Sequence, residues 1–67
     1  MDKQRVLRDI NAIYENCKEH MKDTPGDWQK VYDALNRVCE KYGNAPYVVK
    51  SALKAYDALE RYWRSAA

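Results

Sequence analysis

At 67 residues the chain has room for one domain and no second, because neither half of a split would bury a core. Hydrophobic residues make up 46% and charged residues 33%, which excludes a disordered chain, and apolar residues nowhere run for the roughly 20 positions a membrane span needs. Twelve Lys and Arg against ten Asp and Glu leave a formal charge of +2, short of the dense single-sign field that drives non-specific nucleic-acid binding.

The opening residues, Met1 to Arg5, pass into a mixed pattern in place of the apolar stretch of a signal peptide, so a cytoplasmic and complete chain is the expectation. Val6, Ile10, Ile13, Cys17 and Met21 then recur at helical spacing. Leu7 and Tyr14 widen the stripe, and Arg8, Glu15, Lys18 and Lys22 lie opposite. The spacing predicts a helix over about 2–22, capped by Asp2, with Arg5–Asp9 and Glu15–Lys18 as pairs of opposite charge.

Asp23-Thr24-Pro25-Gly26-Asp27 ends that helix and starts the next. Thr24 is a capping residue, Pro25 suits the first helical position, and Asp27 completes a pattern like a capping box. Trp28, Val31, Tyr32, Leu35, Val38, Cys39 and Tyr42 form the inner face of a helix predicted over about 25–42. Gly43 supplies the left-handed residue that helix ends favour, and Asn44 or Ala45 caps a third helix over about 46–64. Its predicted stripe is Val49, Ala52, Leu53, Tyr56, Leu59 and Trp63, with Ala45, Ala52 and Ala55 permitting close approach.

Connections this short join antiparallel neighbours, so residues 1–67 read as one all-α domain, a compact three-helix bundle running up, down and up. Its core is expected to be rich in tyrosine and tryptophan. If Trp28 and Trp63 are buried, replacing either by alanine costs roughly 3–5 kcal/mol. A steeper crossing, as in a helix-turn-helix module, is the alternative that periodicity does not exclude, and the length of the helices weighs against it.

Cys17 and Cys39 sit on different levels of such a bundle, offset axially by about 10 Å at ~1.5 Å per residue, which predicts free thiols and no disulfide. Cys17 and His20, three apart, match two positions of a metal or nucleophile–base site, but no second His exists and zinc takes more ligands. No metal, no cofactor and no catalytic residue is expected. Asp33 and Glu40 share the outer edge of the second helix with Arg37 near both, a pattern of surface salt bridges. Gly26 and Gly43, the only glycines, are accounted for by turns and leave no phosphate-binding loop.

Two patterns remain. On the third helix Lys50, Lys54 and Arg61 share a narrow arc with Arg64 and Tyr47 beside them, and on the second Lys30, Arg37 and Lys41 do the same. Six Tyr, two Trp and no Phe give nearly every large ring a polar handle, and Tyr47 and Tyr62 fall outside the main stripe. The expected function is a small non-enzymatic interaction module. It binds another protein, or itself as a homo-oligomer, through an aromatic and basic face of Tyr47, Lys50, Lys54, Arg61, Tyr62 and Arg64. Short proteins of this kind are often accessory or inhibitory factors of phages and mobile elements, an association with size alone. Nucleic-acid binding through Lys30, Arg37 and Lys41 together with the third-helix strip is the alternative, weakened by Asp57 and Glu60 within that strip.

Overall fold

Each helix starts where a side chain or carbonyl takes up its first N–H groups. The computed structural model describes residues 2–66. Asp2 caps α1 (Lys3–His20), its carboxylate accepting from the backbone N–H of Gln4 at 3.1 Å and of Arg5 at 3.3 Å. The Thr24 hydroxyl accepts from the Asp27 N–H at 3.2 Å and caps α2 (Pro25–Lys41). Asp27 does not return that bond as a capping box would. Its carboxylate accepts from the Lys22 N–H at 2.7 Å and so ties the reversal across the connection. The Ala45 carbonyl, accepting from Val48 and Val49, opens α3 (Pro46–Ala66).

Between α2 and α3 the chain turns through two left-handed residues, Gly43 at φ 68° and Asn44 at φ 56°. The Gly43 N–H donates to the Glu40 carbonyl at 3.0 Å and the Asn44 N–H to the Cys39 carbonyl at 2.8 Å, the paired bonds of a Schellman motif. Helix α1 stops at His20, earlier than predicted, because Met21 turns to extended backbone, and α3 runs two residues past Arg64.

The molecule measures 37 × 19 × 17 Å. A 21-residue helix is about 31 Å long, so the helices lie along the long axis, and each packs on the other two. This is the up-down-up bundle, not the steeply crossed alternative. None of the described helices is long and apolar enough to cross a membrane.

The interior is aliphatic. Val6 and Ile10 of α1, Val31, Leu35, Val38 and Cys39 of α2, and Val48, Ala52 and Leu59 of α3 are buried. Trp28, Tyr56 and Trp63 are only half-buried at its edge, which corrects the expectation of an aromatic core. Such rings lean in from the rim; the Trp63 indole N–H is itself buried and has no hydrogen-bond partner among the described residues. The Trp28 indole N–H donates to Asp23 at 2.6 Å, and its ring tilts against Tyr56 at 5.4 Å between centroids.

The inner face of α3 is rotated from the predicted stripe. Val48, left out of that stripe, is fully buried, whereas Leu53, placed in it, is 65% exposed. Tyr32 on α2 is likewise 58% exposed and Leu7 on α1 49%. Val48, Ala52, Ala55 and Leu59 recur at intervals of four, three and four and satisfy helical spacing as well as the stripe read from sequence. Packing against α1 and α2 selects between the two.

Candidate functional site

Three helices around a narrow core leave three surface seams, and the side chains along them differ. Across the α1–α2 seam the Tyr42 hydroxyl donates to the Asp9 carboxylate at 2.6 Å, and the Lys41 ammonium lies 3.1 Å from the same oxygen. The Tyr42 hydrogen bond, then Lys41, hold the Asp9 carboxyl below its ordinary range, and the bond to Asp9 pushes the Tyr42 phenol up. Asp9 therefore serves α2 and not Arg5, its predicted partner. Glu15 and Lys18 do pair, at 3.7 Å.

The α1–α3 seam is covered at both ends by a lysine over a tyrosine. Lys3 lies 5.1 Å from the Tyr47 ring centre, and Lys18 lies 5.5 Å from Tyr62 and 5.6 Å from Tyr14. Tyr62 also sets its ring at right angles to Trp63, 5.8 Å away. Tyr47 and Tyr62, unexplained by the helical stripe, are thus partly engaged within the fold. Tyr47 is half-buried and Tyr62 is 41% exposed.

Between those ends the α1–α3 seam holds an apolar groove lined by Leu7, Ile10, Tyr14 and Ala55; the α2–α3 seam holds another, and differs in having no polar contact across it among the described residues. Leu35, Cys39, Val49 and Ala52 line this second groove, with Tyr32 on one bank and Leu53 on the other. The groove continues past Val49 and Leu53 to Pro46, Tyr47 and Lys50. Among the described residues no side-chain hydrogen bond, ion pair or cation–ring contact spans it; the Trp28–Tyr56 ring contact closes only its far end. On the α2 bank Gln29 donates to Asp33 at 3.0 Å and Asn36 to Glu40 at 3.2 Å, so Asp33 and Glu40 are braced by amides of their own helix and not by Arg37. On α3, Arg61 pairs with Asp57 at 3.2 Å.

The six residues singled out on α3 do not converge. Lys50, Lys54, Arg61 and Arg64 are exposed on its outer side, while Tyr47 and Tyr62 turn toward α1. Lys50 alone borders the groove together with Tyr47. On α2, Lys30, Arg37 and Lys41 are exposed, with Lys41 engaged by Asp9. Tyr32 and Leu53 were assigned to the core and so missed as surface. The signal was the width of the apolar arc on α3: from Ala55 round to Leu53 it spans about 160° at ~100° per residue, more than contact with two neighbours conceals.

Cys17 and Cys39 are free thiols. Burial, with the charge of Asp27 adding to it, pushes the Cys17 thiol up, and burial chiefly does the same for Cys39, so both stay protonated and weakly nucleophilic near neutral pH. His20 is exposed beside Glu19 at 3.7 Å, not set against the core. Among the described residues no group of three or more His, Cys, Asp and Glu is placed to hold a metal. Compared with protein families, curated proteins and solved structures, the chain matches none of them.

Proposed function

We propose that this domain is a small non-enzymatic interaction module that binds another protein chain through the α2–α3 groove. One observation carries the reading: the two most exposed large apolar side chains, Leu53 and Tyr32, flank an apolar floor in the seam that no polar side-chain contact closes. Contiguous apolar surface rimmed by polar groups marks interaction sites, and tyrosine is favoured there because its ring is buried while its hydroxyl keeps a partner. A groove between two antiparallel helices suits an amphipathic helix, whose apolar residues at i, i+3 or i+4 and i+7 lie along the floor. Lys50 then acts as a rim charge, which sets orientation more than affinity.

Site-specific photo-crosslinking in cells tests this. A benzophenone side chain in place of Tyr32 is expected to give protein adducts, and the same group in place of Arg61, on the outer face of α3, none. Adducts from position 61 with none from position 32 would transfer the function to the basic face.

A further inference from the structure

We propose that the α1–α3 seam is a second docking surface, for an acidic amphipathic helix of a partner protein. It lies on a different face from the α2–α3 groove and does not rest on that groove's role. Helices α1 and α3 run in the same direction, and Lys3 over Tyr47 and Lys18 over Tyr62, pairs with the same sequence offset, fix their register. Between those pairs Leu7, Ile10, Tyr14 and Ala55 make an apolar floor. Among the described residues the only charged side chains that line it are basic, Arg8 on the α1 bank and Lys54 on the α3 bank. Both are exposed, and neither enters an ion pair among the described residues. One turn from Arg8 along α1 stand Gln4, Arg5, Asn11 and Ala12, none of them acidic. Of the acids nearby, Asp9 is turned to the α1–α2 seam, and Glu15 and Asp57 are held by Lys18 at 3.7 Å and Arg61 at 3.2 Å.

The charge of the banks names the occupant. An apolar floor between two cations takes a ridge of apolar side chains with carboxylates on both flanks, which is the face of an acidic amphipathic helix. Its apolar residues cover Leu7, which is 49% exposed without it, while one flank meets Arg8 and the other Lys54. Small side chains at Ser51, Ala55 and Ala58 keep the α3 bank low enough for such a helix to approach. The Ser51 hydroxyl already donates to the Tyr47 carbonyl at 2.9 Å, so burying it leaves no donor stranded. From Gln4 to Tyr14 the groove accepts about three turns. Lys18, over Tyr14 and Tyr62, closes it at that end, so Arg61 lies beyond it. Other occupants fit less well. A second copy carries the same cations on this face and a net charge of the same sign, +2. Nucleic-acid phosphates gain nothing from an apolar floor, and a bilayer takes up apolar side chains that project, not ones that lie between cationic banks.

Amide chemical shifts of the isotope-labelled chain, titrated with a synthetic helix of about four turns, test this. The peptide carries leucines at i, i+3 or i+4 and i+7, glutamates on both flanks and alanine elsewhere, and a second peptide has lysine for every glutamate. With the glutamate peptide, saturable shifts are expected around Leu7, Asn11, Ser51 and Ala55, with an affinity that falls as salt is raised. The lysine peptide is expected to leave them unmoved. Arg8→Glu and Lys54→Glu should each weaken binding by about tenfold, with helical circular dichroism unchanged because both side chains are surface. Arg37→Glu, the same change of net charge on α2, should not weaken it. No shifts along the seam overturn the proposal, as do equal binding of the two peptides or a loss at Arg37→Glu as large as at Arg8→Glu. Shifts along the seam with vesicles of anionic lipid, and none with the glutamate peptide, overturn it in favour of a membrane surface.

Discussion

Asp9 shows how one side chain is claimed by a neighbour thirty residues away in preference to one on its own helix. Its carboxylate takes a hydrogen bond from the Tyr42 hydroxyl and an ion pair from Lys41, and so fastens α1 to the end of α2. The two folded-state shifts have opposite signs. The Asp9 carboxyl lies below the 3.8 of a free group, so its contribution is complete above that value and is lost as pH falls through the lower folded one. The Tyr42 phenol lies above 10.0, so its contribution is complete below that value and is lost as pH rises through the higher folded one. Tyr42→Phe is therefore expected to lower the melting temperature most at neutral pH, and the gap from the unaltered chain should narrow at both extremes. Because the site is open to solvent the gap is small, and a gap constant with pH would show that the bond does not form. Neither partner was legible in sequence. Spacing reports neighbours on one helix, and Arg5, four residues from Asp9, looked the better match.

At the scale of elements the connections set the topology, and the two glycines separate backbone from packing effects. A Cβ added at Gly26 or at Gly43 meets nothing within 4 Å, yet only Gly43 has a positive φ. Gly43→Ala is expected to cost about 1–2 kcal/mol from left-handed strain. Gly26→Ala, inside the first turn of α2, should stabilise by about 0.4–1 kcal/mol by restricting the unfolded chain. Chemical denaturation measures both, and effects of the same sign would contradict the Schellman ending of α2. These punctuation residues are what made the helices readable. Asp2, Thr24, Pro25 and Gly43 act through atoms on the same short stretch, so the order of residues is enough to place them. Which side of α3 faces inward is a different kind of fact. Val48 and Val49 are adjacent and similar, and the choice between them is made by helices far away in sequence.

For the whole molecule the same distinction separates fold from function. Three amphipathic helices with short connections have one economical arrangement, so the bundle followed from periodicity and loop length. The groove did not, because it consists of apolar residues that the core leaves over, and in sequence Leu53 and Tyr32 look the same as Leu59 and Val31. Only once Val6, Ile10, Val48 and Leu59 have filled the centre does the surplus on the α2–α3 side stand out. The basic residues read as a face are solvated on the outer side of α3, and the tyrosines read as anchors are bound up with Lys3 and Lys18. The most direct measurement of whether the α2–α3 seam is the working surface is photo-crosslinking in cells from a benzophenone side chain placed at position 53, in the seam, or at position 16, on the outer side of α1. Protein adducts from position 53 with none from position 16 are predicted. Adducts confined to position 16, or none from either, would contradict it.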